Sequence, residues 1–130
     1  MTDKGLSRIL YVEDEADIRA VAKMALEAVG GFEVVACASG AEALAAAPSA
    51  NADLLLLDVM MPGMDGPATL KALRDTLATA KTPVIFMTAK VQPTEVAQFK
   101  ALGAIDVIPK PFDPMQVSEE IRRIWDARPR

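Results

Sequence analysis

The 130-residue chain has no histidine and a single cysteine, Cys37. The first absence removes imidazole as base, nucleophile or metal ligand. The second excludes a disulfide within the chain. Cys37 lies in the apolar run FEVVAC and reads as a small buried residue, not a reactive thiol. No run approaches the ~20 apolar residues of a membrane-spanning helix, and the N-terminus lacks the apolar stretch of a signal peptide. A soluble, cytoplasmic protein without membrane insertion is therefore expected. Basic charge is also short: 14 Lys and Arg against 18 Asp and Glu leave a net charge of −4. That balance argues weakly against a nucleic-acid module, whose footprint is a basic patch. There is no internal repeat, low-complexity tract or linker, so one domain is expected to fill residues 1–130.

Apolar residues make up 52% of the chain, and a chain of this length buries roughly two-thirds of its unfolded surface. The most apolar stretch is residues 54–66, LLLLDVMMPGMDG. Four leucines run into Asp58, and a loop with Pro62, Gly63, Asp65 and Gly66 follows. A short uninterrupted apolar run bounded by turn residues reads as a strand buried on both faces. Such a strand delivers its last residue to the carboxyl edge of the sheet, where open α/β folds bind ligands.

The rest of the chain alternates around it. Residues 1–7 are polar and read as a loose lead-in. Residues 8–12 (RILYV) form a strand candidate ending at Glu13-Asp14-Glu15. Ile18, Val21, Ala22, Ala25, Leu26 and Val29 then recur at helical spacing, with Arg19, Lys23 and Glu27 on the opposite face. Gly30-Gly31 ends that helix. Residues 32–37 are a second strand, and Ser39 can cap an alanine-rich helix through Ala47, with residues 48–52 as a loop. After Asp58, residues 67–78 place Leu70, Leu73 and Leu77 on one helical face, with Asp65 or Gly66 as cap and Pro67 in the first turn. Residues 83–87 (PVIFM) are a fourth strand ending at Thr88-Ala89-Lys90. A helix over residues 94–102 turns Val96, Phe99 and Leu102 inward, and Gly103 closes it. Residues 104–108 are a fifth strand ending at Pro109-Lys110-Pro111. Asp113 caps a last helix with Pro114 at its first position and Val117, Ile121 and Ile124 on its inner face. Glu119 and Glu120 sit toward its start and Arg122, Arg123 and Arg128 toward its end, as the helix dipole favours. Five strands alternating with five helices imply an α/β fold with a parallel sheet covered on both faces.

In such a fold the residues after each strand share one rim. Glu13 and Asp14 follow the first strand, Asp58 ends the third, Thr88 follows the fourth and Lys110 the fifth. Taken singly, each has a plain reading: a helix cap, a loop carboxylate, a turn former, a solvated lysine. Together, four strand ends in five carry groups that suit one chemistry. Three carboxylates at close range raise one another's pKa unless a cation neutralises them. A hard divalent ion such as Mg²⁺ suits that donor set. Thr88 and Lys110 suit phosphoryl oxygens, and a carboxylate beside them is equipped to attack phosphorus and form an acyl phosphate.

VEDE at residues 12–15, LLLLDVMMPGMDG at 54–66, PVIFMTAK at 83–90 and GAIDVIPKPF at 103–112 together resemble the receiver domain of two-component response regulators. The resemblance runs over residues 9–124, with a domain core of about residues 8–127. It implies a flavodoxin-like, doubly wound five-stranded parallel sheet, (βα)5, in the strand order 2-1-3-4-5 that the chemotaxis receiver is known for. It implies Asp58 as phosphoacceptor, served by a sensor histidine kinase or a histidine phosphotransfer protein. Glu13, Asp14, Asp58 and the backbone carbonyl of Met60 would hold Mg²⁺ or Mn²⁺. Thr88, the backbone of Ala89 and Lys110 would bind phosphoryl oxygens, and Lys110-Pro111 would be a cis peptide. Thr88 would also switch a surface built on the fourth helix, fifth strand and fifth helix. The downstream target is not named by the sequence. The chain ends about where a receiver ends, so output by protein contact or onward phosphotransfer is expected. A phosphate sink or relay intermediate is the alternative.

Two departures stand out. The family's aromatic three residues before the lysine is Val107 here, which implies a shallow switch in which the fourth helix moves. Met60 and Lys90 fill the positions that tune acyl-phosphate lifetime, and neither offers a carboxamide or carboxylate to orient water. A long-lived phosphoaspartate is expected. Trp125 and Met115 read equally as core or as partner surface. Two other classes fare worse. An aspartyl-nucleophile phosphatase commonly has an acid two residues after the nucleophile, where Met60 stands. A flavin carrier would need a phosphate-cradling loop where Glu13-Asp14-Glu15 repels phosphate. The chain is thus expected to be a signalling protein and not an enzyme.

Overall fold

The order of elements in the computed structural model, which describes residues 5–129, is strictly alternating. The strands are β1 (Arg8–Val12), β2 (Glu33–Cys37), β3 (Leu54–Asp58), β4 (Val84–Thr88) and β5 (Asp106–Pro109). The helices are α1 (Ala16–Ala28), α2 (Gly40–Ala50), α3 (Gly66–Arg74), α4 (Pro93–Ala101) and α5 (Val117–Ala127). All strand pairs are parallel, and the order is β2-β1-β3-β4-β5. The expected (βα)5 sheet and its strand order are both present. Of the lead-in, residues 1–4 lie outside the described residues, whereas Leu6 is buried and the Ser7 N–H donates to Asp53.

The four leucines of β3 are buried because a central parallel strand is covered on both faces. Their alternation divides the core in two. Leu54 and Leu56 join Ile9, Tyr11, Ile85, Met87 and Ile108 beneath α1 and α5. Leu55 and Leu57 join Leu10, Val12, Phe86 and Val107 beneath α2, α3 and α4. Helix starts are capped as the sequence suggests: Ser39 Oγ accepts from the Glu42 N–H (3.1 Å), and Asp65 Oδ1 accepts from the Ala68 N–H (2.9 Å).

Several expectations are corrected. The expected stop at Ala47 is overrun, because α2 continues through Pro48 to Ala50 and closes on Asn51 in the left-handed region (φ 51°). Ala43, Ala47 and Ala50 form one buried stripe, and a proline in the last turn removes a single N–H. The helix expected over residues 67–78 ends at Arg74, and a 3₁₀ turn over Leu77–Thr79 leaves Leu77 95% exposed. Local bonds compete with the helix there: Thr76 Oγ1 donates to the Ala72 carbonyl, and Arg74 Nη1 donates to the carbonyls of Thr79 and Thr82. On α1 the buried seam is Ala22, Ala25 and Leu26, while Val21 and Val29 fall at its exposed margins. Alanines let the helix lie close to the sheet, which narrows the seam. Leu102 is exposed beyond the end of α4, and only Val96 and Phe99 of that helix pack on the core.

The last helix begins three residues after Pro114. Residues 114–116 form a turn held by the Asp113 carbonyl, and Trp125 joins Val117 and Ile121 on the buried face while Ile124 is half-buried. Arg122 and Arg123 sit mid-helix, and the last turn carries no basic residue. Arg122 instead donates to the Gly30 carbonyl and stacks on Phe32. Trp125 is thus a core residue, and Met115 is 66% exposed. Among the described residues no helix is long and apolar enough to cross a membrane.

Candidate functional site

The alternation that divides the core also aims the rim. Glu13, Asp58 and Lys110 continue the series Ile9-Tyr11, Leu54-Leu56 and Ile108, so all three point to the α1/α5 face. Glu13 is completely buried and Asp58 is 2% exposed. Lys110 reaches both: its Nζ donates to Glu13 Oε1 at 2.9 Å and to Asp58 Oδ1 at 3.2 Å. Each of Glu13, Asp14 and Asp58 offers a carboxylate oxygen to a cluster in which these atoms lie within 4.8 Å of one another.

The electrostatics follow from that crowding. Burial, reinforced by the charge of Glu13, pushes the Asp58 carboxyl up to about 6, although Lys110 pulls the other way. Burial alone would lower the Lys110 ammonium, but its hydrogen bonds to Glu13 and Asp58 and their charges outweigh burial and raise it. Three carboxylates face one ammonium, so the site has an uncompensated acidic excess. Oxygens around one octahedral ion at 2.0–2.1 Å are at most about 4.2 Å apart. The acidic cluster needs only a small contraction to fit a hard divalent cation, and its all-oxygen donor set suits Mg²⁺ or Mn²⁺.

The remaining predicted residues divide. Thr88 ends β4 on the α3/α4 face, is 2% exposed, and its Oγ1 accepts from the Lys90 N–H at 3.1 Å. Ala89 and Lys90 are exposed beside it. Met60 stands 70% exposed in the loop after β3. The Lys110-Pro111 peptide is cis. Val107 is buried beside Phe86 on β4, and Phe86 packs on Phe99 of α4 with ring centroids 5.2 Å apart. A ring from α4 thus reaches the region where β5 carries a valine.

Three contributors are not evident in the sequence. Arg19, read as solvent-facing, donates to the carbonyls of Glu13 (2.8 Å) and Asp14 (3.4 Å), clamping the acidic turn. Gly66 is required because a Cβ there would lie 2.6 Å from the Asp58 carbonyl oxygen. Tyr11, two residues before Glu13 on the same face, is buried with a hydroxyl that has no partner among the described residues. The period-two spacing of Tyr11 and Glu13 along β1 is the one sequence signal that could have found it.

Residues 9–122 match the family model described as the response regulator receiver domain. The transcriptional regulatory protein CpxR of Escherichia coli is 40% identical over 119 residues, which are 92% of this chain and 49% of that protein. ResD of Bacillus subtilis, also a transcriptional regulatory protein, is 38% identical over 118 residues, covering 91% of this chain and 48% of its own. The chain spans about half the length of the curated relatives it matches. Among solved structures, the chemotaxis protein CheY4 of Vibrio cholerae superposes with a TM-score of 0.83 at 33% identity, covering 92% of this chain and 99% of its own. The match takes in the five strands from Ile9 onward and the whole rim from Glu13 to Lys110, and the chain belongs to the response regulator receiver domain family.

Proposed function

We propose that Asp58 is the residue through which this receiver accepts a phosphoryl group, with Lys110, Thr88 and the Ala89 N–H holding the phosphoryl oxygens. The observation that carries this reading is the bifurcated contact of Lys110 Nζ with Glu13 and Asp58 on a buried rim. The donor is a phosphohistidine on a sensor kinase or a phosphotransfer protein. An Asp58 carboxylate oxygen attacks phosphorus, the P–N bond breaks, and its electron pair leaves with the imidazole. Lys110 stabilises the charge spread over the transferring oxygens, and Thr88 and Ala89 supply donors from the end of β4 and the residue after it. Glu13, Asp14, Asp58 and the Met60 carbonyl would hold Mg²⁺ or Mn²⁺, which neutralises the carboxylates and the phosphoryl charge when bound. Burial excludes bulk water from Asp58, which favours survival of the acyl phosphate. The output of the domain reads as a protein contact or onward phosphotransfer, and its net charge of −4 disfavours direct contact of the domain with nucleic acid.

Receiver domains are signalling switches and are generally not classed as enzymes. Intact mass after incubation with acetyl phosphate or phosphoramidate and Mg²⁺ tests the reading. The wild type gains one phosphoryl mass and Asp58→Asn does not. Equal gain in both, or none in the wild type, would refute it.

A further inference from the structure

Tyr11 is the chain's one tyrosine. Its ring is fully buried beneath α1 and α5, and its hydroxyl has no hydrogen-bond partner among the described residues. A buried hydroxyl left unpaired is destabilising and calls for an explanation. Two residues on, Glu13 has the opposite deficit. Its wholly buried carboxylate accepts from Lys110 Nζ at 2.9 Å and, at a long 3.3 Å, from the Glu15 N–H. An ionised carboxylate has about four acceptor positions. Residues i and i+2 of a strand share a face about 6.5 Å apart, and strand side chains lean along the strand, so a phenol at 11 can span the step to 13. Burial, then the charges of Glu13 and Asp58, push the phenol's ionisation far above its ordinary range, which keeps it a neutral donor.

We propose that Tyr11 is a positioning residue whose hydroxyl donates to the Glu13 carboxylate when Lys110 turns from Glu13 toward a phosphoryl group on Asp58. The inference rests on the reading of Asp58 as phosphoacceptor. Lys110 divides itself between Glu13 and Asp58 in the unmodified protein. A phosphoryl group adds negative oxygens on the Asp58 side and draws the ammonium there. Glu13 is then a buried charge short of a donor, and Tyr11 holds the spare one on the same strand and face. The bond keeps Glu13 aimed at the cation site instead of letting it collapse inward.

A lone tyrosine makes the test direct. The Raman Fermi doublet of tyrosine reports whether the phenol donates a hydrogen bond, and it is read on the wild-type protein with and without Mg²⁺ and beryllofluoride, a phosphoryl mimic. The doublet is expected to move from the unbonded to the donor form on addition of the mimic. Tyr11→Phe is expected to bind Mg²⁺-beryllofluoride about tenfold more weakly, the loss of one hydrogen bond to a charged group, with an unliganded Tm equal to or above wild type. An identical doublet in the two states, or unchanged affinity in the variant, overturns the inference. A purely packing role would lower the unliganded Tm and leave the doublet still. If the wild type fails to bind the mimic at all, the phosphoacceptor reading falls, and this inference with it.

Discussion

Glu13 and Lys110 stand 97 positions apart in the chain, yet the Lys110 ammonium lies 2.9 Å from the Glu13 carboxylate at a rim where Glu13 has no exposed surface. The contact joins the first strand to the last across β3 and β4, and Asp58 completes it from between. Removing one partner of such a pair leaves uncompensated buried charge, which typically costs about 3–5 kcal/mol. Lys110→Ala is therefore expected to lose about that much stability in urea unfolding at pH 7. Millimolar Mg²⁺ is expected to restore part of it, because a cation takes over the neutralising role. A loss that Mg²⁺ leaves untouched would count against a cation site at these carboxylates.

The raised Asp58 carboxyl makes stability depend on pH with a definite sign. Its folded value of about 6 exceeds the ordinary 3.8, so between those values the folded chain binds more protons than the unfolded one. The Asp58 contribution is fully present below about pH 4 and is lost as pH rises through 6. Asp58→Asn removes this dependence. At pH 7.5 without divalent cation it is expected to be more stable than wild type by about 3 kcal/mol, from a shift of about two units at ~1.4 kcal/mol each. Near pH 4 the two unfolding curves should converge. A pH-independent gap between them would contradict the assignment.

Readout at Val107 is expected to run through α4. That helix buries no residue completely, and only Val96 and Phe99 anchor it to the core, Phe99 through its ring contact with Phe86. A small residue on β5 under a lightly seated helix favours a shift of the helix over a side-chain flip. Backbone chemical shifts recorded with and without beryllofluoride should change along α4 and at Phe99. Changes confined to the rim would sink the idea.

Met60 and Lys90 flank the site at the surface, and neither can orient a water by accepting its proton. The phosphoaspartate is expected to be long-lived for a receiver. Met60→Asn and Lys90→Glu are each expected to accelerate its hydrolysis by about tenfold, less than the ~10²-fold or more of a fully positioned acid or base because both positions lie at the exposed margin of the site. Loss of radiolabel from the isolated phosphoprotein measures both.

Leu73 and Leu77 look alike in the sequence and differ in the fold. Leu73 is fully buried on the inner face of α3, and Leu77 is almost wholly exposed. Leu73→Ala should cost about 2–5 kcal/mol, whereas Leu77→Ser should stay within about 0.5 kcal/mol of wild type. Chemical denaturation of the two variants separates them.

Those two leucines also show where reading the chain stops. The spacing of Leu70, Leu73 and Leu77 fits one helical face, but periodicity cannot register the tertiary demand that the chain turn back toward β4. Arg74 meets that demand by binding two carbonyls beyond the helix end. Pro48 carries the converse lesson. It reads as a stop, yet the buried alanine stripe continues past it, because burial outweighs the loss of one helical N–H. Arg19 reads as solvent-facing by its helical position, and its bond to the Glu13 carbonyl depends on how α1 leaves the sheet.

The alternation of five strands with five helices, the parallel sheet and the rim carrying Glu13, Asp14, Asp58, Thr88 and Lys110 were all determined by the sequence alone. The physical reason is that strand period, buried runs and turn residues are local signals, and the carboxyl ends of parallel strands must share an edge. Only the tertiary structure decided what lies between those groups. Strand register and side-chain parity put Glu13, Asp58 and Lys110 on the α1/α5 face with Tyr11 below them, and set Thr88 on the other face with Phe86 and Val107. Parity follows from register, and register is a property of paired strands that no single stretch of sequence contains.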